Sequence, residues 1–282
     1  MINNQIKTFI LLASLTALLL FVGNMVGGYG GLVIAGIFVV GMNIVTYFFS
    51  HKIVLAMYRA KETNEKIHPE LIKIVREVSH LAGIPMPKVY IIPSEGSNAF
   101  ATGRNPQNGV VACTQGIMNL LSKDELKGVI AHEISHIKNR DILIQTVAAT
   151  IAGVISYVAM MARWSAIFGS FGGRDRDNNL ISLLVLAIIT PIIAMLIQLA
   201  ISRSREYLAD ESAARILHNP HGLANALEKL EHDAKNHPLR LGSPSTSSLF
   251  IVNPFRGGAL VNLLSTHPPM KERINKLKNM NV

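Results

Sequence analysis

The segment Ala131-His132-Glu133-Ile134-Ser135-His136 carries an H-E-x-x-H pattern. Four residues make slightly more than one helical turn, so on a helix both imidazoles leave the same face and can hold one zinc ion. Glu133 projects in a neighbouring direction, from which its carboxylate can reach a water at that ion and take its proton. A catalytic zinc takes three protein ligands and keeps one position open. The best candidate for the third is Glu206, in Ser204-Arg205-Glu206-Tyr207-Leu208-Ala209-Asp210. One turn later, Asp210 is spaced to accept a hydrogen bond from a ligating imidazole and fix its tautomer. Taken alone, Glu206 and Asp210 read equally well as ion-pair partners of Arg203, Arg205 or Arg215, so the choice rests on what positions them.

Ser122-Lys123-Asp124-Glu125 has the form of a capping box and sets a helix start just ahead of the H-E-x-x-H segment. Upstream, Leu71, Ile74, Val75, Val78 and Ala82 recur at helical spacing and Gly83 supplies a stop, which predicts an amphipathic helix over Pro69 to Ala82. Lys88 to Ile92 and Gly109 to Cys113 read as short strands, with Asn98-Ala99-Phe100-Ala101 a third between turn-forming residues. A small sheet against helices follows, and its last helix is expected to run directly into a membrane span.

The chain has 282 residues, of which 49% are hydrophobic and 16% charged. So little charge argues for a membrane protein. No charged residue lies between Lys7 and His51, which at about 20 residues per crossing fits two helices joined through the glycines of Gly23 to Gly31. Uncharged runs from Ile142 to Ala162 and from Asn178 to Ser202 predict a second pair. Such a hairpin returns its two ends to one membrane face, which brings Glu206 back to His136. The formal charge of +9 does not imply a nucleic-acid partner, because the basic residues flank apolar segments. Lys52, Arg59, Lys61, Lys138, Arg140, Arg203 and Arg205 sit on one side of the expected spans, placing both termini and the polar domain in the cytoplasm. Arg163, Arg174 and Arg176 in the second outer loop count against that orientation. Cys113 is the only cysteine, so no intrachain disulfide forms.

These features resemble the M48 family of membrane zinc metallopeptidases over nearly the whole chain. The resemblance implies an α-helical membrane protein with four transmembrane helices and a small α+β zincin-like cytoplasmic domain. Its expected parts are a membrane hairpin at 1–50, the zincin-like domain at 51–141, a second hairpin at 142–202 and a segment completing the zinc site at 203–282. It extends to Thr266-His267-Pro268-Pro269 and Arg273, and implies that His267 stabilises the oxyanion while Arg273 holds Glu206. Asn98, Ala99 and Phe100 resemble a substrate-aligning edge strand. One zinc ion per chain, protein or peptide substrates, a bacterial inner-membrane location and a role in clearing misfolded or damaged membrane proteins are what the resemblance implies. A processing protease for lipidated C-terminal motifs and a non-catalytic membrane scaffold are the competing readings. The stretch from Arg240 to Gly258, rich in Ser, Pro and Gly but carrying Leu249, Phe250, Ile251 and Phe255, reads either as a gate over the site or as a passive loop.

Overall fold

The computed structural model describes residues 4–151, 203–237, 249–252 and 268–282. Helix α1 (Asn4–Met57) is broken at Gly27 and Gly28, where Gly28 takes φ 55° and ψ −139°, a conformation that only glycine adopts cheaply. The chain reverses at that break. Asn43 Nδ2 donates to Thr16 Oγ1 at 3.0 Å across the two limbs. Nearer the turn the limbs approach so closely that a Cβ on Gly31 would collide with the Gly23 carbonyl. The outward faces are apolar, with Phe9, Ile34 and Ile37 at least 70% exposed, a surface that asks for lipid rather than water. Among the described residues one helix, Gly27–Met57, is long and apolar enough to cross a membrane, and Ile6–Phe21 is a shorter apolar helix. The second limb continues to Met57, past the boundary expected at residue 50. Apart from Ile142–Ile151, the expected third and fourth spans lie outside the described residues.

Beyond the hairpin come β1 (Lys61–Glu62), α2 (Pro69–Ala82), β2 (Lys88–Ile92), β3 (Ala99–Thr102), β4 (Val110–Thr114), α3 (Gln115–Leu120) and α4 (Lys123–Lys138). The sheet runs in the order β1-β2-β4-β3. Strand β2 lies parallel to β4, and β3 antiparallel to it with Ala99 opposite Cys113 and Thr102 opposite Val110. This leaves β3 at an edge. The strands expected at Gly109 to Cys113 and Asn98 to Ala101 each form one residue later. Helix α4 starts as its capping signal requires, with the Ser122 N–H donating to the Glu125 carboxylate at 2.8 Å.

Helix α4 is the centre of the soluble part: Val129, Ile130, Ile134 and Ile137 share one core with Val75 and Val78 of α2 and Val111 of β4. Three further helices, α6 (Arg203–Leu217), α7 (Pro220–Asn236) and α8 (Met270–Lys278), add Ala213, Leu227 and Leu277 to it. Gly128 lets α7 approach: a Cβ there would stand 2.6 Å from the Leu223 backbone nitrogen. The helix carrying H-E-x-x-H does not run straight into the next one, contrary to expectation. It ends at Lys138, Arg140 takes a left-handed φ of 59°, and α5 (Ile142–Ile151) begins after Asp141. At this left-handed turn the Asp141 N–H donates back to the His136 carbonyl at 3.0 Å.

Candidate active site

At 3.6 residues per turn, α4 sets His132 and His136 one above the other, with Glu133 to one side. All three are at most 4% exposed. The two Nε2 atoms lie 3.2 Å apart. Glu206, in the first turn of α6, places Oε2 3.7 Å from His132 Nε2 and Oε1 3.5 Å from His136 Nε2. The donor atoms of His132, His136 and Glu206 all fall within 4.8 Å of one another, and this trio could hold a metal ion.

The far side of each imidazole shows why these nitrogens converge. His132 Nδ1 is 2.9 Å from Asp210 Oδ1, and His136 Nδ1 is 3.2 Å from Asp141 Oδ2. A carboxylate at Nδ1 draws the ring proton there and leaves the Nε2 lone pair facing inward. Both Nε2 atoms thus face one point, where they can share a proton in the metal-free site or coordinate a metal ion in its place. Tetrahedral zinc with bonds of about 2.0 to 2.1 Å would separate two nitrogens by about 3.3 Å, close to the spacing observed. Four carboxyl groups surround this point, Glu133, Glu206, Asp210 and Asp141, against the two guanidiniums of Arg273 and Arg205. The residues present therefore fit a divalent metal.

Arg273, from α8, is fully buried. It grips Asp210 with two prongs, Nε to Oδ2 at 2.8 Å and Nη2 to Oδ1 at 2.7 Å, while its Nη1 stands 3.6 Å from Glu206 Oε2. Its main partner is thus the carboxylate behind His132, with Glu206 a longer contact. Burial raises the Asp210 pKa, but the guanidinium more than offsets this and holds it below the ordinary aspartate value. Glu133 is pushed up to about 7, first by burial and then by the Glu206 carboxylate, against His136, the Ala101 backbone N–H and Arg273. Burial lowers the His136 pKa, yet Asp141, Glu206 and Glu133 together lift it to about 9.

The structure thus brings together His132, Glu133, His136, Glu206, Asp210 and Arg273. Asn98, Ala99 and Phe100 lie beside them at the β3 edge, and the Ala101 N–H bonded to Glu133 comes from that same strand. His267 lies outside the described residues. Asp141 is a member of the site that the sequence reading passed over; its one signal was an acidic residue at the border of an uncharged run. Leu249, Phe250 and Ile251 complete the walls of a cavity of about 10 Å³ over the ligands, room for a single water-sized body. Within the stretch from Arg240 to Gly258, only residues 249–252 are described.

A profile of peptidase family M48 matches residues 65–281. The chain belongs to peptidase family M48. It is a metallopeptidase by that membership. Relatives named "Protease HtpX homolog" match along nearly their whole length. That of Syntrophobacter fumaroxidans is 53% identical over 99% of this chain and 100% of its own. That of Thermodesulfovibrio yellowstonii is 56% identical over 98% of each chain. The archaeal relative of Thermococcus sibiricus is 51% identical over 98% of this chain and 95% of its own. Among solved structures, S. mikatae Ste24p aligns with a TM-score of 0.52 at 21% identity, covering 97% of this chain. This chain spans 65% of the length of Ste24p, and the likeness is one of fold.

Proposed function

We propose that the chain is a multi-pass membrane endopeptidase that uses one zinc ion, with its active site and both termini on the cytoplasmic side, and that cleaves misfolded or damaged membrane proteins. The observation that carries this is the convergence of His132 Nε2, His136 Nε2 and a Glu206 oxygen beside the Glu133 carboxylate. Bound there, zinc would polarise the scissile carbonyl and lower the pKa of a water to about 7. Glu133 takes the proton from the attacking water and returns it to the leaving amine nitrogen. The Ala101 N–H keeps the Glu133 carboxylate aimed, and Asp210 and Asp141 keep each imidazole in the ligating tautomer. His267 is assigned to the oxyanion. Substrate lies extended along Asn98 to Phe100, where main-chain pairing accepts many sequences. The relatives' protease name and the apolar α1 hairpin support a protease held at a membrane. Purified protein should contain one zinc per chain, and chelation followed by zinc should abolish and then restore cleavage of an unfolded protein. Metal-independent cleavage, or protein lacking stoichiometric metal, would overturn the reading.

Zinc has to displace the proton that His136 holds at pH 7. Affinity should therefore rise by about tenfold per pH unit between pH 7 and 9 and level off above. The same proton stabilises the metal-free fold fully below the unfolded pKa of about 6.5, and that stabilisation is lost as pH rises through about 9. Asp141→Asn should move the levelling point to lower pH and weaken zinc binding by about 10- to 100-fold. Competition titrations with a zinc chromophore at several pH values test this; an unchanged profile would remove Asp141 from the site.

The cytoplasmic orientation predicts opposite labelling at the two ends of the second limb of α1. In a Cys113→Ser background, a cysteine replacing Tyr29 should react with an impermeant thiol reagent from outside spheroplasts, and one replacing Lys61 should not. Tyr29 is chosen because it is 81% exposed, whereas Gly28 sits at a positive φ that disfavours a side chain. Labelling of the Lys61 position from outside would invert the topology.

A further inference from the structure

The open edge of β3 already has an occupant. The Ile251 N–H donates to the Ala99 carbonyl at 3.3 Å, and Asn98 Nδ2 donates to the Val252 carbonyl at 2.7 Å. Arg273 Nη1 donates to the Ile251 carbonyl at 3.1 Å, tying the same stretch to the group that grips Asp210. Residues 249–252 therefore lie where a peptide added to this edge would lie, and Leu249, Phe250 and Ile251 roof the cavity over the metal ligands. A cavity of about 10 Å³ cannot admit a peptide. Substrate and this segment thus compete for one carbonyl, one edge and one space.

Phe250 shows what the edge accepts. Its ring is 1% exposed and meets Tyr58 edge-on at 4.9 Å and Phe100 at 5.4 Å between centroids. Val54, from the second limb of α1, and Ala149, from α5, belong to the same apolar cluster. Aromatic walls in T-shaped contact favour a flat or bulky apolar guest over a small or charged one. The walls around the ring come from the end of a membrane helix, β3 and α5, none of them part of the segment that supplies Phe250.

We infer that Leu249–Val252 is an internal occupant of the substrate groove, and that the seat of Phe250 is a specificity pocket which takes a large apolar side chain of an extended substrate once the segment is displaced. The inference rests on the endopeptidase reading above. It explains how a site that reads backbone and one apolar side chain can stay closed to folded neighbours while yielding to exposed apolar chain, which can replace both the backbone contact and the ring.

The test uses the full-length protein in detergent with zinc and an unfolded, Phe- and Leu-containing protein as substrate. Phe250→Ala should raise kcat/KM on the order of tenfold, because the competing occupant is weakened. A folded Phe250→Ala protein, judged by circular dichroism, that cleaves at or below the native rate overturns the inference. If that variant does not fold, the cleavage sites of the native chain decide. Large apolar residues concentrated at one fixed position from the scissile bond, and dispersed in Tyr58→Leu, support the pocket; a flat distribution in the native chain overturns it. Glu133→Gln run in parallel separates the two levels. Hydrolysis surviving in Glu133→Gln discards the catalytic reading itself, whereas Glu133-dependent hydrolysis with no response to Phe250→Ala discards only the internal occupant.

Discussion

Arg273→Met is expected to destabilise the fold by about 3 to 5 kcal/mol and to weaken metal binding at the same time. The guanidinium is fully buried and bonded twice to Asp210, with further contacts to the Ile251 carbonyl and Glu206. Methionine fills much of the volume but leaves the Asp210 carboxylate without its cation, and uncompensated buried charge is the main cost. Arg273→Lys should recover only part of the loss, because an ammonium cannot form the two-pronged contact. Adding Asp210→Asn to Arg273→Met removes the stranded charge and should restore much of the stability. It should not restore metal affinity, since His132 then lacks the carboxylate behind Nδ1. The pair's pH dependence has a fixed sign. The Asp210 pKa is depressed in the fold, so its stabilisation is present above the unfolded value of about 3.9 and is lost as pH falls through the lower folded value. Thermal unfolding and zinc titration of the three variants check this. A native melting temperature in Arg273→Met would show that the buried pair contributes nothing.

What could be read from the chain alone follows the range of the interactions involved. His132, Glu133 and His136 were legible because a helix turns a five-residue spacing into a shared face, and Ser122 and Glu125 mark where that helix starts. Glu206 needed one more step, the return of a membrane hairpin to its own side, and its donor oxygens do lie beside the imidazoles. Asp141 was missed because it reaches His136 through a left-handed turn at Arg140, and a non-glycine residue gives no local signal for that conformation. The direct run from α4 into the next helix failed for the same reason. Arg273 was placed at the site from a resemblance, yet its principal partner, Asp210, is set by how α8 packs on α6, and no spacing encodes such a contact. The docking of Ile251 on Ala99 spans more than 150 residues of chain and leaves no periodic trace. The glycine hairpin is the opposite case: a glycine run announces a reversal, and Gly28 takes there a positive φ that few other residues tolerate.

Glu133→Gln tests the central claim most directly. The substitution keeps size and shape, and the glutamine carbonyl can still accept the Ala101 N–H, so the side chain stays in place. It also removes a carboxylate whose ionisation burial opposes, so the fold should be at least as stable as the native one. No metal ligand is touched. What disappears is the group that takes the proton from water and returns it to the leaving amine, a function worth about 10²- to 10⁴-fold in rate. The measurement is hydrolysis of an unfolded protein by native and Glu133→Gln protein in detergent, alongside the zinc content of both. The account predicts one zinc per chain in each and a loss of at least about a hundredfold in rate for the variant. A Glu133→Gln protein that cleaves within a few-fold of the native rate, or that loses its zinc while remaining folded, would contradict it.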